Sequence, residues 1–564
     1  MKFICPFVLF SLQRVIETEV HQRLRAYLRS QGHTQWPHHL TMARLVARAL
    51  RVGRSALIQT DSLAAYKGTH RLSYLIPALL WPEPAVLALP EALLETVLQQ
   101  DIPNLQQSLP IIKPVRMGDS WPSPDFRGLL VTSAKGWLCD RLQSSQNAAN
   151  PKFPINIPTL IDGVSDLECW IREVLTVSLF APDWAALMLA YPGQQAFIRD
   201  MRVRITHAIF QHPPNPYSCH LIDSPEAALL HELFDALQSY GDDGRLPLPW
   251  RAFAHHLAQP ERLAWSRLNR DLGSVVLSSA PPDLDAVLAP VWAQQPVVLM
   301  GADLDTDQKA QSYRARLGLG DMTCLRFGPD RHHDLVQLYL PDRLPMPNTS
   351  HFKAAVLQEI RRLLCAQISP PMLPHALISM DATPMDDGAL SAEGANVSNP
   401  GPAVIIIGDV PLRAQFASIL AAEFGSRIQV ESPVDSTGIL ITGCEYWQAN
   451  QASFQPPSLL IVATLPIPSL ENPLVAGRVT TYKRRRQDWF KAYLLPETLS
   501  TLQRAIAPVR LHQGASVGVV ALLDNRVNHR SYGRTILSAL SPAARSSYLD
   551  PTWFIPAGMT PANT

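Results

Sequence analysis

Short, almost wholly apolar runs recur along the chain, each followed by turn residues or by apolar positions spaced three and four apart. The first are SALIQT (55–60), PAVLALP (84–90), RGLLVTS (127–133), TLIDGV (159–164), SVVLSS (274–279) and PVVLMGADL (296–304). After them come AVIIIGD (403–409), GILITG (438–443), SLLIVATL (458–465) and VGVVALLD (517–524). Runs of this length without polar alternation predict strands buried on both faces, and their alternation with helical periodicity predicts parallel sheets. Between 171 and 265 the strand signals fade, and stretches such as PEAALLHELFDALQSYG predict a mostly helical insert. From 369 to 402 the chain is rich in Pro, Ser, Gly, Ala and Asp without periodicity, which predicts a flexible insert or linker.

Length and composition sharpen this layout. A chain of 564 residues is too long for one core. The 50 prolines against 27 glycines predict many fixed turns and short elements. With 49 Lys+Arg against 48 Asp+Glu there is no global field for nucleic acid, so any such surface is local. The seven cysteines are scattered and never spaced C-x-x-C, which points to a reducing, cytoplasmic compartment and against a disulfide framework or structural zinc. Residues 1–18 read as an apolar N-terminal arm: MKFICPFVLFSL has the length of a signal-peptide core but lacks a small-residue cleavage site. No run reaches the ~18 apolar residues of a spanning helix, so no membrane partner is expected.

The segments that follow the strands, taken in order from about Glu19 to Leu540, resemble the DinG/XPD-type superfamily 2 DNA helicases. WPHHLTMARLVARAL (36–50) is similar to the family's entry motif, with His39 where the adenine-contacting Gln would stand. ALIQTDSLAAYKGTHRLSYLIPALL (56–80) is similar to the strand, phosphate loop and helix, and Leu72, Tyr74, Leu75 and Pro77 match. The loop departs from the pattern: a cradle of small, φ-permissive residues with a Lys and a hydroxyl is replaced by Gly68-Thr69-His70-Arg71. PAVLALPEALLETVLQQDIPNLQ (84–106) and RGLLVTSAKGWLCDRL (127–142) resemble the next two motifs. No cysteine lies between Asp101 and Trp137, where iron–sulfur members hold their cluster, so none is expected.

LIDGVSDLE (160–168) falls where the family reads Ile-Asp-Glu-Ala-His-x-Leu. The resemblance makes Asp162 the Mg²⁺-side carboxylate, puts Gly163 in place of the water-activating Glu and Ser165 in place of the coupling His. A plain turn or cap role for Asp162 stands beside that reading. PVVLMGADL replaces the Thr and Ser hydroxyls of the next motif by Met300 and Gly301. In the second half, Trp447, Leu465, Pro466 and Pro473 keep a family pattern, as do Gln503, Arg510, Asp524, Arg526, Tyr532 and Gly533, while Ala507 stands where the transition-state arginine should be. Lys483-Arg484-Arg485-Arg486, with Trp489 and Phe490 following, is either a nucleic-acid contact or a solvated helix face. Trp447 is either a base platform or a core anchor, and the pairs His38-His39 and His332-His333 read as surface histidines.

The resemblance implies an α/β fold of two RecA-like, P-loop NTPase-type parallel-sheet domains, the first with a helical insert. The expected layout is domain 1 at 19–170 and 266–325 around the insert at 171–265, a connection at 326–368, the linker at 369–402 and domain 2 at 403–564. The implied activity is ATP-dependent DNA unwinding, with ATP and Mg²⁺ as cofactors and single-stranded DNA as partner. The residues that pack or turn the chain survive and those that would touch phosphate, metal or attacking water are replaced. Hydrolysis is therefore expected to be impaired or lost. The nucleotide-contact candidates are Gly68, Thr69, His70, Arg71, Asp162 and Arg510; the nucleic-acid candidates are Lys483, Arg484, Arg485, Arg486 and Trp447. The alternative is a non-catalytic scaffold that binds a protein partner through the helicase fold.

Overall fold

The computed structural model describes residues 16–32, 36–109, 111–147, 151–239, 245–259, 262–331, 334–368, 401–512 and 517–554. Most of the expected arm at 1–18, nearly all of the expected linker at 369–402, and the His332-His333 pair lie outside them. The chain divides into two compact units: one from 1–327 and 468–494, the other from 328–467 and 495–564.

In the first unit, strands β1 (Ala56–Thr60), β2 (Ala85–Leu89), β3 (Val115–Met117), β4 (Leu129–Ser133) and β5 (Thr159–Asp162) precede an insert. The insert holds β6 (Val177–Leu179), β7 (Cys219–Leu221), β8 (Leu263–Asn269) and β9 (Ser274–Ala280), and the chain then returns through β10 (Val297–Ala302) and β11 (Thr323–Arg326). The main sheet runs β11-β1-β10-β5-β2-β4-β3, parallel throughout. Its central strands are buried and mostly apolar because successive side chains enter opposite cores. Ile58, Leu87, Val131, Leu160 and Val298 pack with the helices Ile16–Ser30, His39–Val52 and Leu72–Leu80. Leu57, Val86, Leu130, Ile161 and Leu299 pack on the other face with Ala134–Asn147, Leu167–Leu175 and Asp285–Ala293.

The insert is not purely helical. Helices Ala181–Ala190, Gln195–Phe210, Ser224–Ser239 and Leu248–Ala258 surround an antiparallel sheet ordered β6-β9-β8-β7. Two of its strands are three residues long, too short to display an alternation, which is why the segment reads as helical. The run at 274–279 does form a strand, but it pairs antiparallel with β8 inside the insert. Trp184 and Trp250, ring centroids 4.7 Å apart and edge to face, anchor the insert's own core.

The second unit contains β12 (Val336–Tyr339), β13 (Ala403–Ile406), β14 (Ile428–Val430), β15 (Ile439–Thr442), β16 (Leu459–Val462), β17 (Val519–Leu522) and β18 (Ala543–Ser546). They form a second parallel sheet in the order β14-β15-β13-β16-β17-β12-β18. The stretch 326–368 is therefore more than a connection, since it supplies β12 and the helix Phe352–Ile368 that covers this sheet. Residues 468–494, by contrast, pack in the first unit: Leu474 joins the cluster of Cys219, Leu263 and Trp265. No helix among the described residues is long and apolar enough to cross a membrane. Together these observations describe two separate parallel α/β units, the first interrupted by a mixed insert.

Candidate nucleotide site

In a parallel sheet, ligand groups gather at the carboxyl ends of the strands, and here the first unit's candidates meet between the ends of β1 and β5. After β1 the chain does not open into a phosphate-sized loop. Asp61 caps a helix, Ser62–Lys67: one carboxylate oxygen accepts from the Ala64 amide at 2.7 Å and the other from the Trp36 indole at 3.0 Å. Gly68, at φ +69°, ends that helix in the left-handed conformation. The amides of Ala65, Gly68 and Arg71 donate to carbonyls of the same stretch. A phosphate cradle needs such N–H groups converging and unspent, and here they are bonded within the turn. The Ser62 hydroxyl binds the Asp303 carboxylate, which places a negative group against the same loop.

Thr69, His70 and Arg71 form a single 3₁₀ turn that leads into the helix Leu72–Leu80. Arg71 folds back over Gly68, where a Cβ would lie 2.1 Å from its guanidinium, and its Nε donates to Asp101 at 2.8 Å. His70 turns inward. Its Nε2 lies 3.1 Å from Asp162 Oδ1 and its Nδ1 3.2 Å from the Ala64 carbonyl. Both partners are acceptors only, so both ring nitrogens carry protons and the ring is an imidazolium. Tyr74, one helical turn further, donates its hydroxyl to the other Asp162 oxygen at 2.8 Å, and the Gly163 amide donates to Oδ1 at 2.8 Å. Burial alone would push the imidazole down, but the Asp162 carboxylate holds it above its ordinary value. Burial likewise would push the Asp162 carboxyl up, and His70, Tyr74 and the Gly163 amide hold it below the usual carboxylate range. His70, Tyr74 and Asp162 are buried.

As arranged, these residues do not fit a magnesium-bound triphosphate. The carboxylate that would face the metal accepts three donors, the position of the phosphate-loop lysine is filled by the pairing imidazolium, and the amides of Ala65, Gly68 and Arg71 are spent. The adenine-side position is also committed: His39 is buried, bonded to the Ser73 hydroxyl at 3.0 Å, and burial lowers its value to about 4.

Gly163 sits at φ +73°, and a side chain there would meet Pro90. Ser165 bridges to the next strand in both directions, donating to the Ala302 carbonyl at 2.8 Å and accepting from the Ala302 amide at 3.0 Å. Gly301 leaves the space for this, since a Cβ on it would lie 2.8 Å from the Ser165 amide nitrogen.

Ala507, Arg510 and Trp447 belong to the second unit. Ala507 is buried in the 3₁₀ stretch Ala507–Leu511. Arg510 is buried there too and donates to the carbonyls of Asp334, Pro542 (3.0 Å) and Leu540 (2.7 Å). Trp447 is wholly buried, with its indole donating to the Ala505 carbonyl at 3.0 Å, so it anchors a core and is not an exposed base platform. Lys483, Arg484, Arg485 and Arg486 lie at the exposed end of the helix Pro473–Arg484 in the first unit. Sequence reasoning did not assign roles to Tyr74, Asp101, Ser73 or Trp36. The one available signal was the four-residue spacing of His70 and Tyr74, which puts both on one helical face. All described cysteines are free, and no group of three or more His, Cys, Asp or Glu among the described residues is placed to hold a metal ion.

No protein-family model matches the chain. A stretch of 108 residues is 30% identical to the ATP-dependent DNA helicase YoaA of Escherichia coli, covering 19% of this chain and 17% of that protein. Another of 112 residues is 25% identical to the 3'-5' exonuclease DinG of Bacillus subtilis, covering 20% of this chain and 12% of that protein. The matched segments thus span less than a quarter of the relatives' length. The solved structure of S. tokodaii Xpd4 superposes with a TM-score of 0.54 at 10% identity, over 91% of this chain and all of that one, a likeness of fold. With parallel sheets in both units, the chain is similar in fold to Xpd4 and, over these short stretches, similar in sequence to the YoaA and DinG proteins.

Proposed function

We propose that this protein binds single-stranded nucleic acid on a helicase fold without hydrolysing ATP. The observation that carries the reading is the buried His70–Asp162–Tyr74 cluster, in which the family's metal-side carboxylate is consumed by an imidazolium and a phenol. A lysine and a metal that serve a triphosphate must stay available to it; an ion pair closed in the interior serves the fold. The names of the curated relatives, DNA helicase and exonuclease, and the local sequence likeness to them support nucleic acid as the ligand. Losing the groups that stabilise phosphoryl transfer is costly, since an arginine finger alone accounts for roughly 10³–10⁵ in rate. In this chain the phosphate-loop lysine, the catalytic glutamate and that arginine are His70, Gly163 and Ala507.

The test is ATP hydrolysis by the purified full chain with and without single-stranded DNA, beside salt-dependent binding of a labelled oligonucleotide. Binding that weakens with salt, without stimulated hydrolysis, is expected. DNA-stimulated turnover that disappears in Asp162→Ala would overturn the reading. A chain that binds neither DNA nor nucleotide would favour the protein-scaffold alternative.

A further inference from the structure

We propose that a cavity of about 730 Å³ in the first unit, beside the basic run 483–486, holds a base of a single nucleic-acid strand whose phosphates lie on that run; this rests on the nucleic-acid reading above. The volume falls within the ~300–1,000 Å³ of ligand pockets. Leu175, Leu248, Ala252, Pro282, Ala286 and Val287 form its apolar wall, from the end of the helix Leu167–Leu175, the helix Leu248–Ala258, the turn after β9 and the start of the helix Asp285–Ala293, while His255, His256 and Gln259 add polar groups to the lining. Leu248 is 76% exposed at the rim, an apolar surface open among the described residues.

The rim carries the charge. Arg485 reaches it and pairs with Asp283, so that carboxylate is neutralised. Arg251 adds a second cation and Asp285 a single acid. The neighbours of Arg485 in the chain, Lys483, Arg484 and Arg486, are all exposed. This run is held in place by close packing: Gly477 brings its helix so near the insert that a Cβ would lie 2.4 Å from Leu263. Phosphates need fixed cations that are still solvated, and bases need an apolar slot beside them. The two occur here side by side, at one end of one helix. A neutral apolar ligand would have no use for the run, and a purely electrostatic contact would have no use for the slot.

The experiment uses the full chain and fluorescence anisotropy with labelled oligo-dT and an abasic strand of equal length, across a salt series. The wild type should bind oligo-dT at least tenfold more tightly than the abasic strand. Arg484→Ala/Arg486→Ala should lower the slope of log affinity against log salt by about 1.4, roughly 0.7 for each single-strand phosphate contact. Ala286→Glu, on an exposed wall where folding is unaffected, should weaken oligo-dT at least tenfold and narrow its margin over the abasic strand. Thermal melts of each variant control for folding. Wild-type binding with affinity and slope unchanged in all variants would overturn the cavity assignment and leave the nucleic-acid reading intact. No wild-type DNA binding, with retention of polyglutamate that depends on Arg484 and Arg486, would overturn both in favour of an acidic protein partner.

Discussion

Pro90 stands over Gly163, so that a Cβ built on the glycine would lie 2.6 Å from Pro90 Cγ and 3.3 Å from the ring of Trp170. The backbone there is left-handed, at φ +73°. A glutamate at this position therefore meets two obstacles, a conformation that costs an L-residue about 1–2 kcal/mol and overpacking that costs about 1–3 kcal/mol. Gly163→Glu, which restores the family's residue, should destabilise the protein by roughly 2–5 kcal/mol on those two terms. It should leave ATP turnover at background, because Asp162 stays bonded to His70 and Tyr74. Thermal unfolding and a coupled hydrolysis assay measure both. Turnover in this variant would mean that the missing glutamate alone had silenced the site.

The His70–Asp162 pair makes stability depend on pH in a definite direction. His70 has a raised value, so its contribution is complete below the ordinary imidazole value of 6.5 and is lost as pH rises through the folded value. Asp162 has a lowered value, so its contribution is present above the ordinary 3.8 and is lost as pH falls through the folded value. Hydrogen exchange of the β1 amides should therefore be slowest between about pH 4 and 6.5 after correction for intrinsic rates, and protection should fall as pH rises beyond that window through the folded value of His70. His70→Ala should flatten the alkaline loss and cost about 3–5 kcal/mol, the usual effect of leaving one partner of a buried pair alone. A variant with wild-type stability and an unchanged alkaline slope would refute the ion pair.

Much of this architecture is legible in the chain, for reasons that also mark where legibility stops. The runs at 56–60, 85–89, 129–133, 159–162 and 297–302 are strands in which nearly every position is buried, and that burial leaves a mostly apolar signature without polar alternation. The run at 274–279 carries the same signature inside an antiparallel hairpin, because burial writes it whatever the direction of the neighbouring strand. The cue that would separate the two, a two-residue reversal, is replaced here by the longer turn at 270–273. The departure of 468–494 from the second unit leaves no local mark, since Leu474 and Gly477 find their partners some two hundred residues earlier, at Leu221 and Leu263. At the site, the departures from the helicase pattern at His70 and Gly163 are readable in the chain. That His70 and Asp162, 92 residues apart, pair with each other is set by the register of β5 beside β10 and β1.

Ser165 ties the turn after β5 to the end of β10, and Gly301 is what lets it approach. Ser165→Ala removes a donor and an acceptor from the Ala302 peptide and should cost about 1–3 kcal/mol. Gly301→Ser, which restores a hydroxyl the family carries, should cost a similar amount, because its Cβ would meet the Ser165 amide nitrogen at 2.8 Å and Val164 Cγ2 at 2.9 Å. The two tightest of these contacts are with backbone and with Val164 and only the third, at 3.0 Å, is with the Ser165 hydroxyl, so adding Ser165→Ala should rescue Gly301→Ser at most in part. Urea denaturation of the two single variants and the double variant decides this. Full recovery in the double variant would show that the serine hydroxyl, and not the backbone, sets the limit.

Arg510 separates a structural arginine from a phosphate-binding one by a measurement that only one role can move. Its guanidinium donates to the carbonyls of Asp334, Leu540 and Pro542, clasping the start of β12, the chain before β18 and its own 3₁₀ stretch within the second unit. Arg510→Ala leaves three buried carbonyls without that donor and should destabilise the protein by about 3 kcal/mol. Arg510→Lys should recover part of this, because one ammonium cannot reproduce the spread of a planar fork. Neither variant should change the salt dependence of single-strand binding, because a guanidinium spent on carbonyls releases no counterions. A salt slope lower by about 0.7 in Arg510→Lys or Arg510→Ala, at temperatures where the variant is folded, would place a phosphate on this residue and refute the clasp.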